Sequence, residues 1–157
     1  MSTFERDNYQ WRETYFVMFE SRKRPKLHRV RDALRKLGED LELVDPTAED
    51  DDRFESVTVL APADLAAVDV SYLSGEEVAA EGTRLAKELG ASLDPATRKR
   101  LASCDARFDI MHFEHVSEEP SGDPDEAFDP SALLMVLDAL VELTDGIGID
   151  PQSGAVM

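Results

Sequence analysis

Residues Ser131–Leu143 read SALLMVLDALVEL. The residues just before them, Asp129-Pro130, mark a helix start. An aspartate accepts hydrogen bonds from the free N–H groups of a first turn, and a proline at the first helical position loses nothing by lacking its own. Asp145-Gly146 marks the stop, with glycine expected to take the left-handed cap. Between these signals lie Leu133, Leu134, Met135, Val136, Leu137, Leu140, Val141 and Leu143. Only Asp138 and Glu142 are charged, four apart on one narrow stripe. A helix apolar on nearly every side is a buried helix, and each large side chain contributes about 1.5–3 kcal/mol on leaving water. The stretch is too short to span a bilayer, which takes about 20 residues. The rest of the chain must therefore cover it on two sides. A sheet is expected on one side, and further elements or a second subunit on the other.

The sheet begins at Tyr9–Phe19, YQWRETYFVMF, an aromatic and β-branched run that reads as a long strand. Its second half is apolar on both faces, which places it in the middle of a sheet. Glu20–Arg24 is a polar turn. Pro25–Leu37 is an amphipathic helix, with Leu27, Val30, Leu34 and Leu37 at spacings of three and four and Gly38 as its stop. Leu41–Val44 and Phe54–Leu60 read as a hairpin around the acidic turn Asp45–Arg53. Pro62–Ala67 reads as one helical turn, and Val68–Tyr72 as a strand or an extended link. Ser74-Gly75-Glu76-Glu77 has the form of a capping box opening a helix to Leu89, weakened in its middle by Gly82. A short helix starts at Asp94-Pro95. Arg107–Val116 is a strand, Ser117–Phe128 an acidic mobile loop, and Ile147–Met157 a hairpin around Asp150-Pro151-Gln152-Ser153-Gly154.

These elements form one α+β domain over residues 1–157. Their first two-thirds follow the split β-α-β order of a ferredoxin-like antiparallel sheet. The extra C-terminal buried helix and β-hairpin follow it. The helix would cover the second sheet face, unless a homodimer does so.

Charge narrows the function. The chain of 157 residues carries a formal charge of −17, which repels nucleic acid and anionic membranes. Salt adaptation and genome-composition bias both produce such an acidic, lysine-poor balance. Cys104 is the only cysteine, so no internal disulfide forms and a reducing, cytoplasmic location is expected. The N-terminal residues MSTFERDNYQWRE contain no apolar signal region.

Chemistry-bearing residues are few. In the strand Arg107–Val116, alternation puts His112 and Glu114 on one face and His115 on the other. His112 and Glu114 are of the types that ligate metals or move protons, and they are the candidate ligand-binding pair. Cys104 has no local nucleophile motif. Glu49-Asp50-Asp51-Asp52 lacks the alternation, the glycine and the distal glutamate of a calcium loop. Eight of the seventeen basic residues fall between positions 22 and 36. Within that segment Arg22, Lys23, Arg24, Lys26 and Arg29 are the candidate partner-binding set. An RNA-binding sheet would carry a basic-aromatic signature on a central strand, and Phe54–Leu60 does not. Nucleotide-loop, hydrolase-elbow and zinc-protease motifs are absent, and no cofactor or metal is implied.

Tyr15–Phe19, Arg53-Phe54-Glu55-Ser56, Cys104–Asp109, the closing helix and Asp150–Gly154 together resemble a group of small uncharacterised bacterial α+β proteins. The resemblance implies a fold and carries no activity or site residue. The expectation is a non-enzymatic cytoplasmic domain acting through protein contacts, as a homodimer or with another protein. The alternative is a metal- or small-molecule-binding enzyme using His112 and Glu114.

Overall fold

Tyr9–Phe19 forms the first strand, β1, with the bounds its aromatic run implies. The computed structural model describes residues 9–62, 66–115 and 131–156. A 3-10 turn at Ser21–Lys23 leads into helix α1, Leu27–Arg35. Strands β2 (Glu42–Glu49), β3 (Arg53–Ala61) and β4 (Ala66–Ser74) follow as a meander. Helices α2 (Glu76–Glu88) and α3 (Pro95–Ala102) precede β5, Ala106–His115. Helix α4 (Ser131–Thr144) leads to β6 (Ile147–Asp150) and β7 (Ala155–Val156). The acidic stretch 117–128 and the N-cap pair Asp129-Pro130 lie outside the described residues.

The fold is α+β: one seven-stranded sheet, β2-β3-β4-β5-β1-β6-β7, whose neighbouring strands all run antiparallel. This order departs from the split β-α-β pattern, which gives the first strand a parallel neighbour. Here β1 lies between β5 and β6, both antiparallel to it. The cause is β4. Of the helical turn read at Pro62–Ala67, residues 63–65 lie outside the described residues; Ala66 and Ala67 instead join Val68–Tyr72, read as a strand or link, in a full strand, Ala66–Ser74, buried along most of its length. It pairs with β3 and β5, so β1 takes the other edge of β5. The second half of β1 is central, as its pattern requires, with Val17, Met18 and Phe19 buried.

Alternation divides β1 between two cores. Val17 and Phe19 join Val57, Val59, Val68, Val70, Phe108 and Ile110 on the face covered by α1 and α4. Met18, with Ile147 and Ile149, faces Val78 and Leu85 of α2 and Leu101 of α3. Gly82 lets α2 and α3 meet. A Cβ there would lie 2.8 Å from the Leu101 carbonyl oxygen and 2.9 Å from that of Cys104. The residue that weakens α2 as an isolated helix is thus the one that seats it.

Helix ends mix agreement with correction. Asp94 caps α3, its Oδ1 accepting from the Thr97 N–H at 2.7 Å. The capping box at Ser74 does not form. Ser74 belongs to β4, and Gly75, at φ 127, is the N-cap of α2 without a side-chain bond. Only glycine adopts that φ without strain, and it turns the chain directly from strand to helix. At the end of α4 it is Asp145 that takes the left-handed conformation (φ 56). Gly146 instead packs against β1, where a Cβ would lie 2.8 Å from the Met18 carbonyl oxygen. β2 runs past the expected Val44 to Glu49, kinked at Asp45 (φ 49), so the acidic turn shortens to Asp50–Asp52. The closing hairpin forms as read, with Gly154 donating to the Asp150 carbonyl at 2.7 Å.

Helix α4 buries Ala132, Leu133, Val136, Leu137 and Leu140 against the sheet. Its opposite side is open: Leu134 is 45% and Met135 38% exposed. The cover expected on two sides is present, among the described residues, on one. Among the described residues, no helix is long and apolar enough to cross a membrane.

Candidate functional site

Three places carry the residues singled out from sequence. The first is where β1 meets β5. Register places Trp11 opposite Phe113 and Glu13 opposite His112, so Arg12 is an extra residue in a bulge. A bulge re-aims the side chains beside it. Here the Arg12 guanidinium reaches Glu114, Nη1 to Oε2 2.6 Å, and stands 3.9 Å from Glu13. Glu13 faces His112, Oε1 to Nδ1 3.3 Å. His112 is fully buried. Burial, then the nearby Glu13 and Asp150 carboxylates, pushes the Tyr15 phenol above its ordinary value.

His112 and Glu114 therefore have different partners. His112 meets Glu13, and Glu114 meets Arg12. Glu13 and Arg12 went unnoticed in the sequence because a bulge leaves no mark on a strand pattern. The side chain of His115 lies outside those described. Among the described residues, no group of three or more His, Cys, Asp or Glu side chains is arranged to hold a metal ion. The clefts described below lie elsewhere on the surface.

The second place is the basic segment before and within α1. Arg22 pairs with Glu20 at 2.8 Å. Lys23 Nζ reaches Asp145 at 3.0 Å, bridging the start of α1 to the end of α4. Hydrogen bonding from Lys23, with its charge, holds the Asp145 carboxyl below the usual range. Arg24 is an internal tie. Its Nε and Nη2 both donate to the Phe54 carbonyl, at 3.0 and 2.8 Å, and its guanidinium lies 3.9 Å over the Tyr72 ring. Lys26 donates to the Asp51 carbonyl at 2.5 Å, and His28 Nδ1 lies 2.7 Å from Asp52. That hydrogen bond lowers the Asp52 carboxyl. Most of the basic set thus fastens α1 to the β2–β3 turn and to α4. Arg29 makes no ion pair among the described residues.

The third place is the groove between α1 and α4, a cavity of about 600 Å³. Its α1 wall carries Arg29, Ala33, Lys36 and Leu37. Its α4 wall carries Met135, Asp138, Ala139, Glu142 and Leu143. Both sets repeat at the helical spacing that lines one face. The floor is apolar, one rim cationic, the other anionic. Neither Arg29 nor Lys36 pairs with Asp138 or Glu142, and none of the four forms an ion pair among the described residues. The signal was present in the sequence: 29 and 36, like 135 and 142, are two turns apart. Only the packing of α4 beside α1 makes them one surface.

No family model matches the chain, and no curated protein or solved structure matches it either.

Proposed function

We propose that this chain is a non-enzymatic cytoplasmic interaction domain whose working surface is the α1–α4 face. The observation that carries the reading is the exposed apolar side of α4, Leu134 and Met135, beside a groove with rims of opposite charge. Apolar surface rimmed by unpaired charge is what protein partners use, since the floor supplies affinity and the rim orientation. The single cysteine, Cys104, is buried and free, in keeping with a reducing compartment.

The alternative is small-molecule or metal chemistry at His112 and Glu114. It requires both side chains to turn toward a ligand, and Glu13 and Arg12 occupy them. Native mass spectrometry from near-physiological buffer separates the two. Subunits or protein complexes free of retained metal or metabolite support an interaction domain. A stoichiometric metal or metabolite, lost in His112→Ala, overturns it.

A further inference from the structure

We propose that the occupant of the α1–α4 groove is a second copy of this chain, joined about a two-fold axis that runs along the groove. The proposal rests on the interaction-domain reading above and names its partner.

The argument is geometric and electrostatic. α1 and α4 run antiparallel along the groove. Lys23, before α1, meets Asp145, after α4, at 3.0 Å. Arg29 and Glu142 also line one shared cleft at that end. A two-fold axis along the groove lays each α1 over the partner's α4, antiparallel to it, and keeps every residue at its own height. Arg29 then faces the partner's Glu142. Lys36 lies about 10.5 Å further along α1, two turns on, and the partner's Asp138 about 6 Å along α4. The roughly 4.5 Å between them is within reach of the lysine stem. Isologous symmetry repeats both pairs, giving four ion pairs around a floor that includes Met135 and Leu143. An axis across the groove is excluded, because it stacks α1 on α1 and sets cations against cations.

Charge also favours self-association here over association elsewhere on the molecule. The chain carries −17 overall, so most of its surface repels a second copy. Arg29 and Lys36 belong to the one strongly basic segment; like Arg31 and Arg35 they form no ion pair among the described residues, and of these four they are the two that line the groove. The acidic stripe of α4, Asp138 and Glu142, is their complement. The same arrangement also answers why α4 is apolar on nearly every side while Met135 lies exposed among the described residues of the single chain.

Charge reversal with mixing tests the proposal. Two variants are made, Arg29→Glu with Lys36→Glu, and Asp138→Lys with Glu142→Lys. Sedimentation velocity and native mass spectrometry follow each variant and their equimolar mixture, and circular dichroism checks folding. The wild type is expected to be a dimer. Each variant alone places like charges in all four pairs and is expected to dissociate at least about tenfold more readily. The mixture restores four opposite-charge pairs, two reversed and two native, and is expected to form the heterodimer. That recovery is beyond a variant that has merely misfolded. A monomeric wild type overturns the proposal, as does a dimer indifferent to both reversals, while an interaction domain with another partner or another face survives either result. A stoichiometric metal or metabolite in the same spectra, lost in His112→Ala, overturns the interaction reading itself.

Discussion

Thr58 donates a hydrogen bond of 2.9 Å to Asp69, which stands opposite it in the β3–β4 register and is 1% exposed. A carboxylate in that position gives up nearly all of its hydration. Burial pushes the Asp69 carboxyl above its ordinary value, and the hydrogen bonds from Thr58 and Ser71 only partly oppose it.

The pH consequence has a definite sign. The folded chain holds the Asp69 proton to higher pH than the unfolded chain does. Between the two values the native state binds more protons, so stability falls as pH rises. The contribution is full below the ordinary aspartate range and is lost as pH rises through the raised folded value. Asp69→Asn, which keeps an acceptor for Thr58 and offers a donor to Ser71, is expected to raise the urea midpoint at pH 7. The gain should shrink toward pH 4. A midpoint lower than wild type at pH 7 would mean that Thr58 and Ser71 require the ionised carboxylate.

His112 is packed into the sheet against Glu13, and its removal is a packing event. His112→Ala is expected to cost about 2–4 kcal/mol through cavity formation and the loss of the Glu13 contact. Urea denaturation reads the cost directly. A loss below about 0.5 kcal/mol would show a ring that the core does not need.

Gly82→Ala sets helix propensity against space. Propensity alone gives a gain of about 1 kcal/mol. The two carbonyl oxygens under 3.0 Å from the new Cβ force α2 and α3 apart, an overpacking cost of about 1–3 kcal/mol. Net destabilisation by thermal melting is the expected result, and stabilisation would show that α3 slides away freely.

Helix α4 offers an internal control. Leu133→Ala, in the core, should cost about 2–5 kcal/mol. Leu134→Gln, one residue on and 45% exposed, should change the stability of dilute protein by about 0.5 kcal/mol or less. Equal losses at both positions would mean that α4 is covered on both sides within one chain.

The Cys104 thiol is pushed up to about 11 by burial. Its thiolate is the reactive form, so an aromatic disulfide reagent at pH 8 should label the native protein far more slowly than the unfolded one. Burst labelling of native protein would place the thiol at the surface.

Elements with a local cause were legible in the sequence. β1 showed in its aromatic run, α1 in the spacing of Leu27, Val30 and Leu34, α3 in Asp94-Pro95, and the last hairpin in Asp150–Gly154. Relationships between distant segments were not. The place of β4 in the sheet depends on β3 and β5 offering it two edges, and no property of Ala66–Ser74 alone encodes that. Gly82 and Gly146 read as helix punctuation, yet each is set by what presses against it, α3 in one case and β1 in the other. His112 and Glu114 could be singled out by residue type, but their partners Glu13 and Arg12 come from a strand about a hundred residues earlier. The charged groove was legible as separate helical stripes and invisible as a surface.

The place of β1 has a bearing on how the protein is made. Its most apolar residues, Phe16–Phe19, leave the ribosome well before their partners, Ala106–Asp109 and Ile147–Ile149. Until those are synthesised, a sticky strand with two open edges waits in the nascent chain. Such late, long-range pairing slows folding and invites misassociation. The polar first half of β1 and the solubilising charge on the segments that follow it would keep the growing chain apart from its neighbours during that interval.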